Sequence, residues 1–498
     1  MSAGLEARAG VPTAYGLTRR ALSLGAANAF DYAFQFLLPV VLVRCLDPAA
    51  FGQYRLLWLA VGTVMAVVTM AMPGSLYYFL PRSEGATKRL YINQALVFLA
   101  ATGLIAGWAV SSWNPWLPDK MRDLAQHEAI VPLFVLLWLV ASLLDLLPTV
   151  EERVMWQAKT TIGLAALRAV TLSLAAILTR ELGPVLLVLL AFVAFKVALL
   201  LGYVARYHGL RGPLLRWRAF SDQLKYAAPI GAAGALYGLR LQGDQWVAAT
   251  LFSVGMFASF SIATIIVSPV QLCRQSVFHA FLPSMSRLQA AGDIPGMLEL
   301  KSRANVMVGT LVYPLLAFAF VFAEEMITII YTAAYVDAVP VMRVSIVGFA
   351  ALVVEFTSIV QLLRQGAFMI RMSLAALVLS VALSWFSAHY FGLAGAAAGS
   401  ATTIYFELVA TLRQVSLRTG VPLGRMQNWR ALGLLMLSAA LAAAFAWSMV
   451  GRYFAASGPL VRLIVGGALL AAAYAAMAAL LGVGRGWFAA VRGSEHGL

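Results

Sequence analysis

The stretch GLRLQGDQWVAATL, residues 238 to 251, sets Arg240, Gln242, Asp244 and Gln245 within six positions inside a long apolar run. On a helix, Arg240 and Asp244 are i and i+4, one turn apart on the face of Tyr237, close enough for an ion pair that lowers the cost of carrying both charges. Guanidinium groups also suit phosphate oxygens, which they grip with a planar fork of donors. Other ionisable residues recur in apolar surroundings: Asp31, Asp145, Arg168, Lys196, Arg274, Glu355 and Glu407. Each such group costs roughly 2.5–3.5 kcal/mol at a bilayer centre, so it is expected to face a bundle interior or a watery cavity. A carboxylate in that setting can be held protonated and serve as a coupling site for H+ or Na+.

Several of these residues belong to faces. At about 100° per residue, Ser261, Thr264, Ser268, Gln271, Arg274, Gln275 and His279 fall within an arc of about 140°, with apolar residues on the remainder. Ser400, Thr403, Glu407, Thr411 and Gln414 form a second polar stripe. Asn28, Asp31 and Gln35 form a shorter one, and Ser142, Asp145, Thr149 and Glu152 a fourth. Two readings follow. In one, the Arg240–Asp244 pair and the stripe around Arg274 line a shared central cavity; in the other, the charges are buried pairs that fix helix packing. The four cations Arg168, Lys196, Arg240 and Arg274 stand against five carboxylates, so formal charge alone does not declare an anion site.

The elements that position these residues are membrane helices. The chain has 498 residues, 62% hydrophobic and 11% charged, against about a quarter charged in a soluble domain. Runs of about 20 apolar residues recur from Leu22 to Leu480, and barrel-type alternation is absent. About fourteen spans are expected, at 19–44, 54–80, 90–113, 129–150, 160–180, 184–206, 223–250, 256–282, 303–324, 339–363, 369–388, 392–414, 430–450 and 460–482. With both termini inside, the inner loops hold roughly three times as many Lys and Arg as the outer ones, Lys301 and Arg303 included. Most of the net charge of +15 is therefore topological signal rather than a nucleic-acid footprint. The longest inner loop, YHGLRGPLLRWRAFSDQLK, intersperses leucines with arginines, as a short helix lying on an anionic leaflet would.

Enzyme chemistry finds little support. The five histidines are scattered, no nucleotide-binding glycine loop is present, and Cys45 and Cys273 form no CxxC or disulfide framework. A short internal repeat instead suggests two parallel halves. LVRCLDPAAFGQY matches AATLFSVGMFASF, with Phe51 in step with Phe257 and Tyr54 with Phe260, and the motif FLP recurs at Phe79–Pro81 and Phe281–Pro283. The fold expected is an all-α polytopic membrane protein of about fourteen helices, in two pseudo-symmetric six-helix lobes plus two C-terminal helices. Its parts are a tail at 1–18, an N-lobe at 19–206, an amphipathic linker at 207–222, a C-lobe at 223–414, two further spans within 415–482, and a tail at 483–498.

LVRCLDPAAFGQYRLLWLAV resembles the corresponding turn of the polysaccharide exporter family, the O-antigen and exopolysaccharide repeat-unit flippases of the multidrug/oligosaccharidyl-lipid/polysaccharide exporter superfamily. FLPSMSRLQAAGDIPGMLELKSRANVMVGTLVYPLLAFAF, which includes Pro314, and YFGLAGAAAGSATT are similar to its second half. The resemblance implies alternating access across the bacterial inner membrane, without cofactors, for an oligosaccharide on undecaprenyl diphosphate. It places Arg240 and Arg274 on the diphosphate, and Gln271, Gln275, Gln35 and Asn28 on sugar hydroxyls, with Arg168 and Lys196 as further cavity cations. Asp31, Asp145, Asp244, Glu355 and Glu407 are then coupling or ion-pair residues. Partners implied are membrane lipids and the polymerase and glycosyltransferases of the pathway. The rivals are a cation-coupled drug or metabolite antiporter, favoured by Asp31, and a lipid II flippase; a polysaccharide polymerase would need a larger outer loop.

Overall fold

The computed structural model describes residues 14–116, 122, 127, 129–209, 212–264 and 267–480. Most of both expected tails, Lys120, Arg211 and the His279 side chain lie outside the described residues. The described chain is helical throughout, and each expected span has a helix or a broken pair of helices at its place. Eleven helices among the described residues are long and apolar enough to cross a membrane. That count takes one 54-residue helix as a single span, and it omits a charged helix and a short one that also occupy expected positions.

The packing divides into two units, Met1–Gly238 and Leu239–Leu498. The first holds α1 (Ala14–Cys45), α2 (Pro48–Val68), α3 (Met72–Phe79), α4 (Gly85–Ala109), α5 (Ile130–Ala141), α6 (Val154–Thr179) and α7 (Leu182–His208). α1 packs along α6, α4 along α5, and α7 against both α5 and α6. The core under α3 and α4 gathers Met72, Leu76, Ile92, Leu99, Leu143, Leu147 and Leu200, all fully buried. α8 (Trp217–Leu251) begins in this unit, where Ala227 joins the same core. A Cβ on Gly231 would sit 2.3 Å from the Met70 backbone, so only glycine allows that approach. The division between units therefore falls inside α8 rather than in the loop before it.

The second unit holds the rest of α8, then α9 (Val254–Ala263), α10 (Val267–Ala290), α11 (Ile294–Val321), α12 (Ala323–Ile330), α13 (Ala338–Ala351), α14 (Thr357–Leu362), α15 (Gly366–Thr419), α16 (Trp429–Tyr453) and α17 (Pro459–Leu480). α15 is a hairpin of two helices. Gly392 takes φ 61, ψ −144, and Gln414 hydrogen-bonds Gln365, 49 residues away, at 3.2 Å. A straight helix would separate those two by about 70 Å. The arms pack backbone to backbone through Gly395 against Ser387 and Gly399 against Ser384. Expected spans eleven and twelve are these two arms.

The internal repeat has a structural counterpart in the two units. Asp47 caps α2 by accepting from the Ala50 amide at 2.8 Å, and Ser253 caps α9 by accepting from Met256 at 3.3 Å. Phe51, Tyr54, Phe257 and Phe260 are buried one or two turns later. The FLP motifs diverge, because Pro81 sits in a 3-10 turn whereas Pro283 lies inside α10.

α16 and α17 pair with each other and pack on α11. Pro314 in α11 has no N–H to give the Thr310 carbonyl four residues earlier, and the Tyr474 hydroxyl of α17 donates to that carbonyl instead, at 3.0 Å. This contact uses a polar group that the proline itself freed. Tyr474→Phe is expected to cost about 1 kcal/mol in unfolding free energy, and Pro314→Ala, which restores the helical bond, should remove most of that difference. A double-mutant cycle from denaturant unfolding in micelles measures it, and strictly additive effects would sink this account.

Candidate functional site

In the first unit, Asp31 of α1 meets Arg168 of α6, with Nη2 3.3 Å from Oδ1. Gln35, one turn on, donates to the other Asp31 oxygen at 2.7 Å, while Asn28 stays exposed. Of the short stripe of α1, only Asp31 is thus engaged by a partner helix. Lys196 of α7, almost fully buried, donates to Asp145 at 2.7 Å and lies 5.2 Å from the centre of the Trp138 ring. Asp145 closes the 3-10 turn Ser142–Asp145, which interrupts the fourth span three residues before Pro148. The turn lets the carboxylate leave the helix line and reach α7.

In the second unit Arg240 forms an ion pair with Glu407 on the second arm of α15, and its charge also acts on Asp244 one turn away. Asp244, buried, accepts from the Gln245 amide at 2.8 Å and from Ser400, also on that arm. Ser400 and Glu407 lie two turns apart, so the stripe of the twelfth span faces polar partners within its own unit. Gln414, its last member, meets Gln365.

Lys301, expected in an inner loop, is buried within α11, which begins at Ile294, and its Nζ lies 2.5 Å from Glu355. Glu355 sits in the break between α13 and α14, where it also accepts from the Ser358 amide at 2.8 Å and hydroxyl at 2.9 Å. Beside it, Asn305 donates to Gln427 at 2.9 Å, and Ser302 accepts from the Asn428 amide at 2.9 Å. Arg274 of α10 donates to the Leu352 carbonyl at that break, at 3.4 Å, and among the described residues forms no ion pair within 4 Å. Gln271 is partly buried on the same helix and Gln275 is exposed. The tally of membrane charges is therefore five against five once Lys301 is included, and four of the five cations are paired.

A further cluster escaped the sequence reading. Glu151, between the fourth span and α6, accepts from the Tyr203 hydroxyl and lies 2.5 Å from His208 Nε2. Arg153 stands 3.8 Å from Glu151 and 3.5 Å from the centre of the Tyr207 ring. Its signal was diffuse, because the partners are about 50 residues apart in sequence and Glu152 occupied the more regular helical spacing. Burial raises the Glu151 carboxyl, but the hydrogen bonds from His208 and Tyr203 and the charges of His208 and Arg153 together outweigh it, so the group titrates below its ordinary 4.5.

These paired charges sit on a fold found among known transporters. The lipid II flippase MurJ in its inward closed conformation is similar to this chain with a TM-score of 0.67 at 10% identity, covering 93% of this chain and 99% of that one. A point mutant of the Vibrio cholerae MATE transporter VcmN gives 0.53 at 12% identity over 82% and 97%. A MOP superfamily transporter from Pyrococcus furiosus gives 0.50 at 13% identity over 81% and 95%. The molecule is thus an all-helical multi-pass membrane protein with the fold that these three transporters share. No curated protein matches the sequence. The family model described as polysaccharide biosynthesis protein matches residues 41–340, and the chain belongs to that family.

Two outcomes are expected. Arg240→Gln or Glu407→Gln alone strands a charge and should cost about 3–5 kcal/mol, whereas the double variant should recover most of it; thermal unfolding in detergent reads the difference, and equal loss in all three would refute the pairing. Because the folded value of Glu151 lies below its unfolded one, its contribution is present above the ordinary carboxylate range and is lost as pH falls through the depressed folded value. A fluorotryptophan resonance at Trp156, whose ring lies 4.7 Å from that of Tyr203, should follow this transition, and Glu151→Gln should abolish it.

Proposed function

We propose that this protein is a flippase that carries undecaprenyl-diphosphate-linked oligosaccharide repeat units across the bacterial inner membrane by alternating access, for exopolysaccharide or O-antigen synthesis. Membership of the polysaccharide biosynthesis family, on a fold shared with a lipid-linked precursor flippase, is the observation that carries this reading. The Lys/Arg distribution supports both termini facing the cytoplasm. Partners of this reading are the polymerase and glycosyltransferases of the same pathway.

The charges refine the roles. A diphosphate with several sugars does not cross hydrocarbon unaided, so the protein supplies polar groups while the polyprenyl tail stays in lipid. Arg274 is the foremost diphosphate contact, because it is held by one long bond to a carbonyl. Arg240 reaches the substrate only by giving up its pair with Glu407 for a phosphate oxygen, which adds negative charge beside a carboxylate that stays in place. Gln271 and Gln275, on the helix of Arg274, serve sugar hydroxyls. Arg168 and Lys196 hold Asp31 and Asp145, and their part is positional. Asp244 and Glu355 remain candidates for H+ or Na+ coupling.

In cells lacking the gene, lipid-linked oligosaccharide should accumulate facing the cytoplasm and surface polymer should be lost. Arg274→Ala at normal protein level should cut export about tenfold or more, the loss of one charge-assisted contact of at least about 1.5 kcal/mol. Accumulation of peptidoglycan precursor instead would favour a lipid II flippase. Unchanged lipid intermediates with reduced tolerance to cationic compounds would favour the antiporter and sink the present reading.

A further inference from the structure

Arg89, in the second turn of α4, is 8% exposed, and its Nε and Nη1 atoms are shielded without a hydrogen-bond partner. A buried guanidinium that leaves two donors unused is costly, and the N-terminal end of a helix adds a field of the same sign. Over it runs the segment 212–216. Gly212 lies so close that a Cβ there would stand 2.9 Å from Arg89 Cγ. The segment is irregular, with bends at Gly212 and Leu214, and it is held to α4 by Asn93 donating to the Pro213 carbonyl at 2.9 Å and by the Arg216 amide donating to Gln94 at 3.2 Å. Gln94 in turn donates to Gln223 at 3.1 Å, and Gln223 donates to Ser75 at 2.8 Å, so the segment is anchored to a buried polar chain.

The outer side of the same segment is amphiphilic. Leu214, Leu215 and Trp217 are 67%, 47% and 74% exposed, and Arg216 and Arg218 are exposed between them. Residues 82–89 and 206–225 together carry eight Lys and Arg against Glu84 and Asp222. Apolar side chains interleaved with cations at the end of membrane helices fit the boundary between acyl chains and headgroups.

We infer that Arg89 and the segment 212–216 form a seat for the headgroup of an anionic phospholipid. The phosphodiester oxygens take the two unused guanidinium donors after a small displacement of the segment at Gly212, and Leu214, Leu215 and Trp217 enter the adjoining acyl layer. The occupant is a lipid rather than free phosphate because the exposed leucines and tryptophan beside the site are served only by acyl chains. This inference does not depend on the transported substrate or on which leaflet the segment faces.

The test uses the full chain in nanodiscs of phosphatidylcholine alone or mixed with phosphatidylglycerol, with thermal unfolding as readout. Wild type should unfold at a higher temperature in the anionic lipid. Arg89→Met should lose that shift while remaining at least as stable as wild type in phosphatidylcholine, since an uncompensated buried charge has been removed. Should Arg89→Met fail to fold, the exposed Arg216→Gln carries the test and should weaken the shift. The proposal is overturned if wild type shows no dependence on phosphatidylglycerol, if the folded variant keeps the full shift, or if inorganic phosphate added to phosphatidylcholine discs reproduces it.

Discussion

An ionised side chain in hydrocarbon is tolerable only with a partner, and this requirement organises the molecule more than any single apolar contact. Asp31 meets Arg168, Asp145 meets Lys196, Glu355 meets Lys301 and Glu407 meets Arg240, each pair joining two helices of one unit. None is a local i, i+4 pair. Each therefore specifies which helix packs against which, in a medium where apolar surface alone discriminates poorly between neighbours.

The helix breaks serve the same end. Asp145 and Glu355 both stand where a span is interrupted, the first by a 3-10 turn before Pro148 and the second by the gap between α13 and α14. Both carboxylates are held by a lysine of another helix in the same unit. A break frees backbone groups that must be satisfied in place, and serine, asparagine and arginine take part in this here: the Ser358 amide donates to the Glu355 carboxylate, Asn305 accepts from the Glu355 amide, and Arg274 takes the Leu352 carbonyl. Pro314 follows the same logic, its lost bond taken up by Tyr474. Such discontinuities are sites where a membrane helix can bend without leaving polar backbone unpaired.

Pairing also decides what is left for a ligand. With four of five membrane cations engaged, Arg274 is held by a carbonyl alone among the described residues, whereas Arg240 is already held by a carboxylate. The polar stripes seen in the sequence divide accordingly. That of the twelfth span is answered from within its unit by α8 and by Gln365 at the head of α15, whereas Gln271, Arg274 and Gln275 keep much of their hydrogen-bonding capacity.

Hydrophobic run length and flanking breakers were enough to place a helix or a broken pair of helices at each expected position, eleven of the helices among the described residues being long and apolar enough to cross a membrane, because the thickness of the bilayer sets a minimum length for a crossing. The aromatics Phe51, Tyr54, Phe257 and Phe260 were legible as a repeat, whereas the caps at Asp47 and Ser253 that precede them emerged only in the structure. The sequence alone thus determined the class of protein, its helices and the identity of all but one of its membrane charges. Only the tertiary structure decided the pairing. Arg240 finds Glu407, 167 residues away, as well as the charge of Asp244 one turn on, and Lys301 turns inward because α11 begins nine residues earlier than its apolar run suggests. Spacing along one helix reports which side chains share a face, and says nothing of the facing helix that supplies the counter-charge.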